Sequence, residues 1–372
     1  MPAPESACAM AHAIERLFAT PKIRPCVPSR RPIALVEYTR AIMRVGAVLA
    51  AFPALPLADY LALVRGVEAR GYDSAWVGET AGGDAITLMT LIAAHTRRIG
   101  VSSGVIPIQT RSPIILGMSA ATLAHVAPGR VALGLGVSSR IIVEHWHGLP
   151  FHAGLGQMRE VVRIVRMTAA GERVNVDGTH YRLKNFRSMT PPPSPPPKII
   201  LAALGPEMLE LAGEIADGVL LNWIPPEAVR ASIAHLEAGA RRAGRTLDGF
   251  EIAGFIRTTV TDEPATVRAG LARDITGYAI VDVYASFFRG VGYADEMAAI
   301  NAKWKAGDRA GAVREVSPRV LDGLGMIGNE AFCRDRLNAY ANAGLTLPVI
   351  LPFVPEGADR AASLRRTLGA FP

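Results

Sequence analysis

The stretch from Ile99 to Gly136 reads IGVSSGVIPIQTRSPIILGMSAATLAHVAPGRVALGLG. It opens on a short apolar run, Ile99–Gly104, and passes through Arg111-Ser112-Pro113 into a helical pattern over Pro113–Val126. A second apolar run, Val131–Gly136, follows the turn at Pro128-Gly129. Both runs lack the polar alternation of a half-exposed strand, which is the mark of strands buried on both faces. A parallel pair needs a crossover long enough to return the chain, and the intervening helix supplies it. The stretch is therefore one parallel strand–helix–strand unit.

The same alternation recurs along the chain. Strands are expected at Arg44–Ala50, Ser74–Glu79, Ile99–Gly104, Val131–Gly136, Lys198–Ala203, Gly218–Asn222, Glu251–Thr261 and Leu347–Leu351. Helical patterns lie between them at Leu57–Arg70, Ala85–His95, Pro113–Val126, Gln157–Ala170, Pro206–Ala216, Pro226–Ala243 and Phe332–Ala343, with a last helix near Arg360–Leu368. Eight such units without a dinucleotide-binding fingerprint point to the α/β class and a closed (β/α)8 TIM-like barrel. Two segments exceed the alternation. Val174–Leu183 reads as a β-hairpin turning at Asp177-Gly178, followed by the proline-rich run 191–197 as a stiff lead into the fifth strand. Residues from Thr276 to Val320 read as a helical insertion before the last strand.

Of the 372 residues, half are hydrophobic, enough to bury a large core. Residues 1–42, broken by six prolines, read as a disordered extension, and residues 43–372 as one barrel domain. No apolar run approaches the roughly 20 residues that span a bilayer, so no membrane partner is expected. The net charge is +7, of which residues 1–42 supply +3. There is no Lys/Arg stripe with interleaved aromatics, which argues against a nucleic-acid partner. Cys8, Cys26 and Cys333 show neither paired nor zinc-type spacing, as expected of reduced thiols in a cytoplasmic protein.

In such barrels the active site is built from the loops after the strands. After the second expected strand, Gly78-Glu79-Thr80 places a carboxylate at the mouth, or a surface acid capping the next helix. The fourth ends in Gly134-Leu135-Gly136-Val137-Ser138-Ser139, whose small residues let a planar ligand approach the backbone and whose hydroxyls add donors. His145, His147 and His152 crowd the following loop without a standard metal spacing, so no metal site is expected. After the fifth strand, Ala203-Leu204-Gly205-Pro206 turns into a helix whose N terminus favours an anion such as a phosphate.

Several stretches, in order, resemble the luciferase-like monooxygenase superfamily, and most closely its branch using the deazaflavin coenzyme F420. They are Gly71-Tyr72-Asp73-Ser74-Ala75-Trp76-Val77, Arg97-Arg98-Ile99-Gly100-Val101 with Pro128-Gly129-Arg130-Val131, the Gly134–Ser139 run with Val143-Glu144-His145-Trp146-His147-Gly148-Leu149-Pro150-Phe151, and Met158-Arg159-Glu160. The stretch Gly205-Pro206-Glu207-Met208-Leu209-Glu210-Leu211-Ala212-Gly213 is similar to methylenetetrahydromethanopterin reductase and its bacterial relatives. The resemblance implies a deazaflavin in the barrel mouth, backed by a cis-peptide bulge in the third strand at Gly104-Val105. It also implies contacts from Gly136, Val137, Ser138, Ser139 and Asn222, and a phosphate held by the amides of Ala203, Leu204 and Gly205. Pairing as a homodimer through barrel helices is a further implication.

A deazaflavin carries carbon where a flavin has its oxygen-reactive nitrogen, so it delivers hydride and activates oxygen poorly. The resemblance thus implies an F420-dependent oxidoreductase moving hydride to or from a small organic substrate. The alternatives are an FMN-dependent monooxygenase and a non-catalytic flavin- or deazaflavin-binding protein. Glu79-Thr80 stands where many relatives carry an acid followed by histidine. The proton would then come from a carboxylic acid with a raised pKa in an apolar mouth, with Glu79 and Glu144 as the candidates, ahead of His145 and His152.

Overall fold

The computed structural model describes residues 43–372 save Ala153 and Pro355. The expected extension, 1–42, lies outside the described residues, as do Cys8 and Cys26.

The chain runs β1 (Gly46–Val48), α1 (Leu57–Ala69), β2 (Ser74–Val77), α2 (Ala85–His95), β3 (Gly100–Ser103), a two-residue β4 (Ile106–Pro107), α3 (Pro113–Val126) and β5 (Val131–Gly136). A wide π-helical turn, Ile141–Trp146, precedes α4 (Leu155–Ala169) and the hairpin β6 (Arg173–Asp177) and β7 (Arg182–Arg187). Then come β8 (Lys198–Ala202), α5 (Pro206–Ile215), β9 (Gly218–Asn222), α6 (Pro226–Arg242) and β10 (Glu251–Val260). Five helices follow: α7 (Pro264–Ala279), α8 (Asp282–Gly290), α9 (Ala294–Lys305), α10 (Arg309–Arg314) and α11 (Pro318–Leu324). The chain closes with β11 (Gly325–Gly328), α12 (Glu330–Ala343), β12 (Leu347–Pro352) and α13 (Arg360–Gly369).

Strands β1, β2, β3, β5, β8, β9, β10 and β12 pair in parallel in that order, and β12 returns to β1. These are the eight strands expected from sequence. Inward residues Val48, Trp76, Ala132, Ile200, Leu220, Ala253, Leu347 and Val349 fill the barrel, with Trp76 and Phe255 edge to face at 5.7 Å between ring centroids. Opposite-facing residues such as Val101, Leu133, Leu201 and Ile256 pack beneath the helices. At the barrel base Arg44 bridges Asp73 and Glu251, and Glu68 accepts from the amides of Arg97, Arg98 and Ile99.

The insertion starts earlier than expected. All of α7 to α11 and β11 intervene between β10 and α12, so Pro264 rather than Thr276 marks its first helix. The amphipathic pattern of α7 resembles that of a barrel helix, but Val267, Leu271 and Ile275 pack with Phe288, Met297, Ile300, Val316, Val320 and Leu324 into a core of their own. That core also takes in Trp223 from the end of β9. The hairpin is present, with Gly178 N–H donating to the Tyr181 carbonyl at 2.9 Å, and its second strand runs on to Arg187. Cys333 is buried, and burial pushes its thiol up to about 11. Among the described residues no helix is long and apolar enough to cross a membrane.

Candidate active site

The third strand breaks its ladder at the barrel mouth. Val101 and Ser102 pair with Val131 and Ala132, and pairing resumes only at Ile106 with Leu135, one residue out of step. The extra residue makes a bulge at Gly104-Val105, whose peptide is cis. Ser103 bridges the gap: its hydroxyl donates to the Gly134 carbonyl at 2.9 Å and accepts from the Gly134 amide at 2.8 Å.

The bulge lies directly on the interior layer. A Cβ added at Gly104 would stand 2.4 Å from Phe255 Cζ and 3.0 Å from Trp76. One added at Gly136 would stand 2.5 Å from Val105 Cγ2 and 3.4 Å from Ala202 Cβ. Gly104, Val105, Gly136 and Ala202 thus form a shelf of small residues above an aromatic floor. Gly104, Val105, Ala202 and Phe255 are half-buried, so the shelf opens outward.

The remaining expected contacts divide. Val137 and Ser138 lead off the shelf half-buried, and Ser138 N–H approaches Gln109 Oε1 at 3.5 Å. The Ser139 hydroxyl accepts from Ile142 N–H at 3.3 Å and so starts the π-helical turn, a local structural task. Of the three amides expected to hold phosphate, that of Ala203 donates to the Leu220 carbonyl at 3.2 Å, continuing the sheet. Leu204 and Gly205 stand free of such bonds among the described residues, and α5 begins with Gly205 and Pro206 with no side chain capping it. An uncapped helix start suits an anion. Asn222, two residues beyond the inward Leu220 on β9, accepts at its Oδ1 from Arg257 Nη1 at 2.8 Å.

Neither expected acid sits in an apolar environment. Glu79 accepts from Arg111 Nη2 at 2.8 Å, from Arg111 Nε at 3.3 Å and from Ala85 N–H at 3.0 Å, so it organises the start of α2. This hydrogen bond, together with that to Asp84, raises the Arg111 pKa above its usual value. Glu144 pairs with Arg140 at 2.6 Å one turn away, where the arginine is mostly exposed. Both side chains are engaged by an arginine rather than set in an apolar pocket. His145, His147, His152 and Trp146 are all exposed, so the loop does not pack its rings onto the rim. Among the described residues no cluster of His, Cys, Asp and Glu could hold a metal.

Sequence reading missed three residues that the mouth depends on. Ser103 and Arg111 lay inside quoted stretches without a task. Arg257 was hidden in a ten-residue apolar strand, where its charge was itself the available signal.

Residues 42–347 match the family described as luciferase-like monooxygenase. The chain belongs to this family. Among its luciferase-like relatives, a Mycobacterium tuberculosis protein named as a coenzyme F420-dependent oxidoreductase is 29% identical over 342 residues, covering 87% of this chain and 99% of that one. The solved coenzyme F420-dependent tetrahydromethanopterin reductase of Methanopyrus kandleri superposes with a TM-score of 0.73 at 23% identity, over 89% of this chain and 98% of the other. A type II Baeyer-Villiger monooxygenase component from Pseudomonas putida, solved with FMN, gives 0.60 at 16% identity over 88% and 96%. At these identities the two superpositions speak for the shared barrel alone. The luciferase-like fold therefore accounts for the eight-stranded ring.

Proposed function

We propose that this luciferase-like protein is an F420-dependent oxidoreductase acting on a small organic substrate. The observation that carries the reading is the shelf of Gly104, Val105, Gly136 and Ala202 at the open barrel mouth. Its residues are small enough for a flat ring system to lie against main chain, and the uncapped start of α5 lies after the neighbouring strand β8 for the phosphate of such a cofactor. The relative named for F420 supports the same choice.

When bound, the deazaflavin supplies a hydride to the substrate. The protein's part is to hold the ring on the shelf, through Gly104, Val105, Gly136 and Val137, and its phosphate through the amides of Leu204 and Gly205. Ser103 fixes the bulge from behind. Arg111 and Glu79 tie the loop after β2 to the segment after β4, keeping the rim closed on that side. The aromatic floor of Trp76 and Phe255 excludes water from below the ring. The homodimer and the cytoplasmic setting belong to the same proposal.

The second reading, an FMN-dependent monooxygenase, is favoured by the description of the matching family, luciferase-like monooxygenase. Anaerobic oxidation of reduced F420 against a panel of enones, imines and ketones tests the first reading. Turnover that requires oxygen and reduced FMN would instead establish the second.

A further inference from the structure

Arg257 lies on the inward face of β10, two residues beyond Phe255, and β10 stands across the ring from β3 and its bulge. The residue is 6% exposed. Its Nη1 donates to the neutral Asn222 amide oxygen at 2.8 Å, and its guanidinium carbon lies 3.2 Å from the centre of the Trp223 ring. Tyr278 is the next aromatic, at 5.7 Å. The one ion pair it makes among the described residues is to Asp274, at 3.6 Å from Nε.

This charge is under-compensated. Burial lowers the Arg257 pKa in spite of Asp274, Tyr278 and Tyr284, and burial raises that of Asp274 in spite of Arg257. Two charges that satisfied each other would shift the opposite ways. Burial pushes the Tyr284 hydroxyl up to about 12, so it adds no negative charge at neutral pH. Beneath the guanidinium, Trp223 holds the left-handed φ of +56°, and its indole Nε1 is buried without a partner among the described residues. Asp274, Tyr278 and Tyr284 all belong to the insertion, so this constellation is built by residues that a plain barrel lacks.

We propose that Arg257 is a specificity-determining residue that receives a carboxylate group of the substrate, which makes the substrates small organic acids. The guanidinium commits Nη1 to the neutral Asn222 oxygen and meets Asp274 only at 3.6 Å, which leaves Nη2 without a hydrogen bond among the described residues and able to pair with a planar monoanion. A dianionic phosphate would meet Asp274 at short range without a second cation to offset it. The assignment rests on the reading of the barrel mouth as the active site.

Titration calorimetry on the full chain, with and without F420, tests it with benzoate and acetate as probes, benzamide and acetamide as neutral controls, and inorganic phosphate as the dianion. At least one carboxylate should bind ten-fold or more tighter than its amide. Arg257→Gln should abolish that difference while changing F420 affinity less than two-fold. Asp274→Asn, at a half-buried position, should tighten carboxylate binding at least three-fold, an effect that a merely structural arginine would not produce; it carries the test if Arg257→Gln does not fold. Equal binding of acid and amide, unchanged carboxylate binding in Arg257→Gln, weaker binding in Asp274→Asn, or Arg257-dependent binding of phosphate alone would each overturn the assignment. F420 binding without carboxylate binding would refute this proposal and leave the function standing. Arg257-dependent carboxylate binding without F420 binding would do the reverse.

Discussion

The Ser103 hydroxyl holds both main-chain groups of Gly134, donating to the carbonyl and accepting from the amide, at the gap where β3 and β5 have no ladder of their own. One side chain thus replaces the pairing that the bulge removes. Ser103→Ala would leave a buried amide and carbonyl without partners, a loss of about 2–3 kcal/mol. Urea unfolding should show that loss, and F420 should bind at least five-fold more weakly because the shelf moves. A variant as stable as the parent would mean that Ser103 does not bridge the gap.

Gly136→Ala puts a methyl where Val105 already lies, 2.5 Å from its Cγ2. The valine must swing away or the strands must part, at about 1–3 kcal/mol. The shelf loses its flatness in either case. Equilibrium titration should find F420 affinity down ten-fold or more, with a smaller change in thermal midpoint than in affinity. Unchanged affinity would remove Gly136 from the cofactor surface.

Glu79 and Arg111 are expected to act as one structural unit. Each single change, Glu79→Gln or Arg111→Ala, should cost about 1–2 kcal/mol. The double variant should cost less than the sum by about 1 kcal/mol, since removing either partner removes the shared bonds. Glu79→Gln should retain most of the turnover of reduced F420. Loss of turnover with intact stability and cofactor binding would restore Glu79 as the proton donor.

Much of this was legible because buried parallel strands advertise themselves as apolar runs and their helices as amphipathic ones. Ser112-Pro113 even announced the start of α3, where Ser112 accepts from Ile115 N–H at 3.2 Å. The insertion was harder, since nothing local tells whether the apolar face of α7 covers the barrel or, as it does, meets α8 to α11. The partners of Glu79 were hidden for a similar reason. Its carboxylate is decided by Arg111, 32 residues away, and sequence gives the charge without the partner. The Arg257 constellation joins four separate segments, so only the folded chain brings it together.

Glu68 links α1 to the start of β3 and makes stability depend on acid. Burial alone would raise its pKa, but the amides of Arg97, Arg98 and Ile99 with the Arg98 charge hold it below the usual value. A carboxylate depressed in the folded state contributes stability above its unfolded pKa, about 4.3. That contribution is lost as pH falls through the folded value. Thermal midpoints should therefore drop as the pH is lowered below about 4.3, with a shallower drop in Glu68→Gln. Identical profiles would exclude the contribution.

The proposed function stands on the shelf at the barrel mouth receiving a deazaflavin. The direct measurement is a fluorescence titration of the purified chain with F420 and, separately, with FMN, repeated on Gly136→Ala. F420 should bind saturably and one to one, at least ten-fold tighter than FMN, and more weakly once the methyl is added. Binding of FMN alone, or F420 binding that Gly136→Ala leaves untouched, would rule out the shelf as the deazaflavin site.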